Sequence, residues 1–174
     1  GGRRDCPTGY AAVIDFGDDY LLEMAAWCHD GTNNTAEIKG AIMGLWAIRP
    51  EACLARGVTV TTDSEYTLNQ ALGNHGTKKN VELVTMLRHE TFSRQVRWEH
   101  VKGHSGDPMN ERADKLAKKA RHAYKTPLSC LEDSVLVVCS LVPKQGGKPI
   151  LSLQGPYVTR IWNGERWVHL ALRT

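Results

Sequence analysis

The stretch Trp98–Ala120, WEHVKGHSGDPMNERADKLAKKA, does most to limit what this chain can fold into. Its apolar period changes partway along. Val96, Trp98 and His100 alternate with Arg97, Glu99 and Val101, which is the two-residue period of a strand. Gly103 and Gly106 then break the pattern, as glycines do in loops. Asp107-Pro108 opens a helix, because Asp can accept from the orphan amides of the first turn and Pro suits the first helical position. Met109, Ala113, Leu116, Ala117 and Ala120 return at helical spacing and form one apolar stripe.

The preceding chain supplies partners for that unit. Tyr10–Phe16 and Tyr20–His29 read as strands joined by a turn at Gly17-Asp18-Asp19. Asp15, Asp18 and Asp19 read as solvated turn residues. Thr32-Asn33-Asn34 precedes a helix running to about Arg49, where Pro50 ends it. Ile38, Ala41, Ile42 and Leu45 mark its buried face, and Gly40, Ala41 and Gly44 would let a sheet approach closely. Val58–Asp63 is a strand rich in β-branched residues. Helices follow at Glu65–Leu72 and Val81–Phe92, with a break at residues 73–76 between them. The order β-β-α-β-α-α-β-α predicts an α/β domain over residues 1–125, with helices packed on a mixed sheet.

From Thr126 the character changes. Pro127 and Ser129 suggest a linker, and Ser134–Leu141, Pro149–Gln154, Tyr157–Trp162 and Arg166–Leu172 read as short strands. Asn163-Gly164 is a hairpin signal between the last two. Residues 126–174 are therefore expected to form a small all-β extension. Packing on the main domain, stacking on nucleic acid and oligomerisation are all open to it.

Composition narrows the class. The chain has 174 residues and 41% hydrophobic content, enough for a packed core and against wholesale disorder. Its apolar runs are too short to span a membrane. Five cysteines without metal-ligand spacing suit reduced thiols, hence a cytoplasmic location. A net charge of +3 points only weakly to nucleic acid.

Three carboxylates stand at junctions. Glu37 lies three residues after Asn34, where it could close a capping box. Asp63 ends a strand and could cap the next helix. Asp114 borders the apolar stripe of the last helix, where a salt bridge would account for it.

Taken together, the motifs resemble type 1 ribonuclease H. Val-Lys-Gly-His-Ser-Gly-Asp-Pro with Asn-Glu-Arg-Ala-Asp is similar to the family's C-terminal motif. Thr-Asn-Asn-Thr-Ala-Glu and Thr-Asp-Ser resemble its second and third motifs. The resemblance covers roughly Tyr10–His122 and implies a ribonuclease H-like fold. It implies an endonuclease that hydrolyses the RNA strand of RNA–DNA hybrids with two metal ions. Glu37, Asp63 and Asp114 would hold the metals, and His104 would assist proton transfer or product release, with Glu111 a further auxiliary. Asn33 and Asn34 would reach the hybrid's minor groove, with Lys78, Lys79, Lys102 and Asn110 also on the nucleic acid. Carboxylates about 4 Å apart repel by roughly 4 kcal/mol per pair at an effective dielectric of roughly 20. Divalent cations between them would relieve this, and oxygen ligands favour Mg²⁺ or Mn²⁺ over Zn²⁺.

The family carries a fourth carboxylate, an Asp on a central first strand. Here Gly1–Thr8 resembles the loop after that strand, and Asp5 is too close to Tyr10 to serve. Ser134–Leu141 is apolar enough for a central strand, but its nearby acids Glu132 and Asp133 precede it. The first strand is thus expected from an upstream segment or another chain. Two other functions stay open: an impaired module that only binds nucleic acid, and a DNA-cutting nuclease of the same fold. Arg94 and Arg97 could add phosphate contacts. Lys144, with the aromatic residues of the extension, could add another basic surface.

Overall fold

A computed structural model describes residues 8–28, 31–122, 134–149 and 151–157. The first hairpin is β1 (Thr8–Asp15) and β2 (Tyr20–Cys28), paired antiparallel from Thr8 opposite Cys28 to Asp15 opposite Leu21. Asp15 accepts from the Gly17 amide at 2.8 Å and Asp18 from the Tyr20 amide at 2.9 Å, so both build the turn. Next come α1 (Asn33–Trp46) and α2 (Pro50–Arg56). The sequence reading had no α2. Pro50 ends one helix and, as the first residue of another, also starts the next.

β3 (Thr59–Thr62) and β4 (Arg97–His100) pair in parallel, with Thr62 opposite His100. Between them lie α3 (Glu65–Leu72) and α4 (Val81–Ser93), and α5 (Pro108–His122) follows. Two strands come from the C-terminal region, β5 (Ser134–Pro143) and β6 (Leu151–Tyr157). They do not stand apart: β5 runs antiparallel to β2, giving the sheet order β1-β2-β5-β6. The Lys144 amide donates to Asp19 O, and Lys144 Nζ pairs with Asp15 Oδ1, both at 2.8 Å. Lys144 therefore fastens the end of β5 to the first turn. The strands expected at Tyr157–Trp162 and Arg166–Leu172 lie outside the described residues, apart from Tyr157 itself, as does the linker.

β2 is paired on both edges and nearly all of it is buried, which explains its apolar run. Glu23 is the exception. Arg112 Nε donates to it from α5 at 2.7 Å, and a second guanidinium nitrogen completes the ion pair. β1 is gripped between two helices. A side chain on Gly9 would collide with Ala117 O of α5, and one on Gly40 of α1 would lie 2.7 Å from Ala11 O. Such contacts leave room only for hydrogen. The main core joins Tyr10, Ile14, Met24, Ile38, Ile42, Met43, Val84 and Leu87, with Tyr66 and Trp98 packed against it.

Among the described residues the strands form two sheets. β1 ends the larger one and β3 ends the smaller, so each has an edge without a partner strand. β5 occupies the far side of β2, so it does not lie beside either of these edges.

Candidate active site

The local explanations for two of the three carboxylates are taken by their neighbours. At the start of α1 the capping box is Thr32 with Thr35: the Thr35 amide donates to Thr32 Oγ1 at 3.2 Å, and the Thr32 amide to Thr35 Oγ1 at 2.8 Å. Glu37 is left out of the cap and one turn further in. At α3 the cap is Ser64, whose Oγ accepts from the Thr67 amide at 3.1 Å. Asp63 is thereby free of capping and sits just past the carboxyl end of β3. Ligands gather at such strand ends in α/β sheets. Asp114 does take the ion pair expected of it, with Lys118 Nζ at 2.9 Å. Asp107 caps α5, accepting from the Asn110 amide at 2.8 Å.

Three elements then bring their acids into one electrostatic neighbourhood. The Glu37 carboxyl is pushed up to about 7. The main cause is loss of water around it, followed by the negative charges of Asp63 and then Asp114. Glu37 keeps an exposed surface, so a dissolved ion can reach it. Among the described residues no three His, Cys, Asp or Glu side chains stand ready to enclose a metal ion. The donor chemistry fits a hard cation all the same: the acids are oxygen donors, and their mutual repulsion is what a divalent cation relieves. Glu37, Asp63 and Asp114 are the residues that could hold it.

Asp63 is held at both its side chain and its main chain. Asn110 Nδ2 donates to its Oδ2 at 3.2 Å, and His100 Nε2 lies 3.2 Å from its main-chain oxygen. The sequence marked His100 only as part of a strand. Its register opposite Thr62, one residue before Asp63, comes from the β3–β4 pairing, which the strand pattern alone does not name.

Most of the remaining candidates lie on the surface. His104 is exposed on the loop before α5, in a left-handed conformation with φ 57°. Asn33 and Asn34 are exposed in the first turn of α1. Lys78, Lys79 and Lys102 are exposed, as is Glu111, while Asn110 is half-buried against Asp63. Two basic residues read as part of nucleic-acid surfaces have other work. Arg94 is only 4% exposed; it donates to Ile48 O after α1 and pairs with Glu90, so it joins two helix ends. Lys144 is committed to Asp15. Arg88 holds the segment after α3 by donating to Gln70 O at 2.7 Å and Thr77 Oγ1 at 3.0 Å.

Comparison with known proteins agrees with the motifs. The ribonuclease H family model matches residues 2–122. A ribonuclease H of Aeromonas salmonicida is 39% identical over 128 residues, covering 66% of this chain and 79% of the relative. A ribonuclease H of Bradyrhizobium diazoefficiens is 38% identical over 125 residues, covering 64% and 78%. Among solved structures, the ribonuclease H1 of Halobacterium salinarum is 21% identical, with 66% and 96% coverage and a TM-score of 0.44. The N-terminal RNase H domain of a Mycobacterium tuberculosis protein, solved as a fusion with maltose-binding protein, is 22% identical, with 67% and 94% coverage and a TM-score of 0.44. No helix among the described residues is long and apolar enough to cross a membrane. The chain belongs to the ribonuclease H family and is a ribonuclease H enzyme with a mixed α/β fold.

Proposed function

We propose that this enzyme cuts the RNA strand of RNA–DNA hybrids, with Glu37, Asp63 and Asp114 holding two Mg²⁺ or Mn²⁺ ions. One observation carries the reading: acids from α1, the end of β3 and α5 are near enough that the charges of Asp63 and Asp114 add to the loss of water that pushes the Glu37 carboxyl up to about 7. A charge cluster like this disfavours its own ionisation, and a bound cation reverses that. When bound, such ions would activate the attacking water and stabilise the leaving 3′ oxygen.

The chain's own groups do the rest. Asn33 and Asn34, exposed at the start of α1, would donate to 2′-hydroxyls and base edges in the minor groove. Lys78, Lys79 and Lys102 would follow the phosphates. His104, on its exposed loop, would carry a proton to or from the cleaved ends, with Glu111 nearby on α5.

The reading includes one more strand, which would pair with the edges of β1 and β3 that lack a partner strand among the described residues and would bear the family's fourth carboxylate. Two helices already bridge the interval between those edges. α5 lies on Gly9 of β1 and reaches Asp63 through Asn110; α1 lies on Ala11 of β1 and carries Glu37, whose carboxyl feels the charge of Asp63.

The test is a cleavage assay on RNA–DNA hybrid, double-stranded RNA and double-stranded DNA, with Mg²⁺ and with chelator. Mg²⁺-dependent cutting of the hybrid's RNA strand is expected. Glu37→Gln and Asp63→Asn should each abolish it while hybrid binding persists. Cutting of DNA alone, or binding with no cutting, would replace this reading with one of its two rivals. Full cutting by either variant would remove the assigned roles.

A further inference from the structure

We propose that Asn110 is a positioning residue that sets the Asp63 carboxylate, with His100 and Gly103 completing a three-sided holder. This rests on the metal-binding role proposed for Asp63, and it reassigns Asn110, which the sequence placed on nucleic acid. The Asn110 side-chain amide nitrogen donates to Asp63 Oδ2 at 3.2 Å from the first turn of α5. That bond spans 47 residues of sequence and ties α5 to the end of β3. His100 acts on the main chain. A carbonyl oxygen can only accept, so the ring nitrogen 3.2 Å from Asp63 O must be the protonated Nε2. Gly103 supplies the third side. A Cβ there would stand 3.2 Å from Asp63 Oδ2, tighter than most side chains tolerate.

The consequence is that one Asp63 oxygen is committed to a donor before any ligand arrives. Oδ1 accepts no hydrogen bond among the described residues, so it is the oxygen left for a cation. Donors that orient a metal-binding carboxylate are typically worth about 10-fold or more in metal affinity.

The experiment is calorimetric titration with Mn²⁺ alone, together with hybrid binding in chelator and thermal unfolding as a folding check. Asn110→Ala should weaken Mn²⁺ binding by about 10-fold and leave hybrid affinity within about 2-fold. In an Asp63→Asn background the same change should do nothing further to Mn²⁺ affinity, because the pair acts as one unit. His100→Phe keeps a ring and loses the donor, giving an independent variant if Asn110→Ala does not fold; a smaller loss of Mn²⁺ affinity is expected. His100→Gln restores a donor and should recover most of it. Unchanged Mn²⁺ affinity in both Asn110→Ala and His100→Phe overturns the proposal. So does an equal loss with and without Asp63, or a loss of hybrid affinity alone. If the unaltered enzyme binds no Mn²⁺, or Asp63→Asn binds it normally, the metal reading itself fails, and that outcome is distinct from the others.

Discussion

Removing the charge of Glu37 should make the metal-free protein more stable, although it removes a residue proposed as essential. The folded carboxyl is raised from 4.5 to about 7, so between those values the native state holds a proton that the unfolded chain releases. The sign follows directly. The protein is most favoured below the unfolded value, loses stability as pH climbs through this window, and levels off above it. At 1.36 kcal/mol per pH unit the rise corresponds to roughly 3 kcal/mol. Glu37 has an exposed surface, so solvent screening reduces this to about 1 kcal/mol. In a domain of this size that is a Tm change of about 2–4 °C. The assay is thermal unfolding of the parent and Glu37→Gln in chelator at pH 4.5 and pH 8. The two should melt together at the lower pH, and the variant should melt higher at pH 8. Adding Mg²⁺ at pH 8 should then raise the parent's Tm and leave the variant's nearly unchanged. A variant that melts lower than the parent at pH 8 without metal would refute the electrostatic argument.

Other outcomes follow from packing. Gly40→Ala forces a methyl group against Ala11 O and should cost about 1–3 kcal/mol, read as a lower denaturation midpoint. Arg112→Ala strands Glu23, which is only 8% exposed, and should cost about 2 kcal/mol in the same assay. Lys144→Ala removes a partly exposed ion pair and should cost about 0.5 kcal/mol while cleavage proceeds at the parent rate.

Much of this architecture was written locally in the chain. The β1–β2 turn and the Asp107-Pro108 helix start depend on nearest neighbours, and the structure shows both; the small Gly40 also marked a close approach, though not the strand it meets. What failed to show were choices between neighbours with equal claims. The sequence offers Asn34 with Glu37 as one cap and Asp63 as another, yet Thr32 with Thr35 and Ser64 take those places; only the folded backbone decides which side chain reaches the amides. That decision matters to the site, because it leaves Glu37 and Asp63 available. Long-range pairings were also hidden. Nothing in the apolar alternation of residues 134–141 names β2 as their partner, since a strand pattern fixes a face and not a neighbour. Glu23 in an apolar strand and Arg94 at a helix end carry charge whose partners are set only by the packing of helices.

The central claim is that acids from α1, the end of β3 and α5 share divalent cations. The most direct measurement is anomalous diffraction from a crystal of this protein soaked in Mn²⁺. The account predicts Mn²⁺ in direct contact with carboxylate oxygens of Glu37, Asp63 and Asp114. Mn²⁺ found only at other surface acids, with these three side chains turned away from one another, would contradict it.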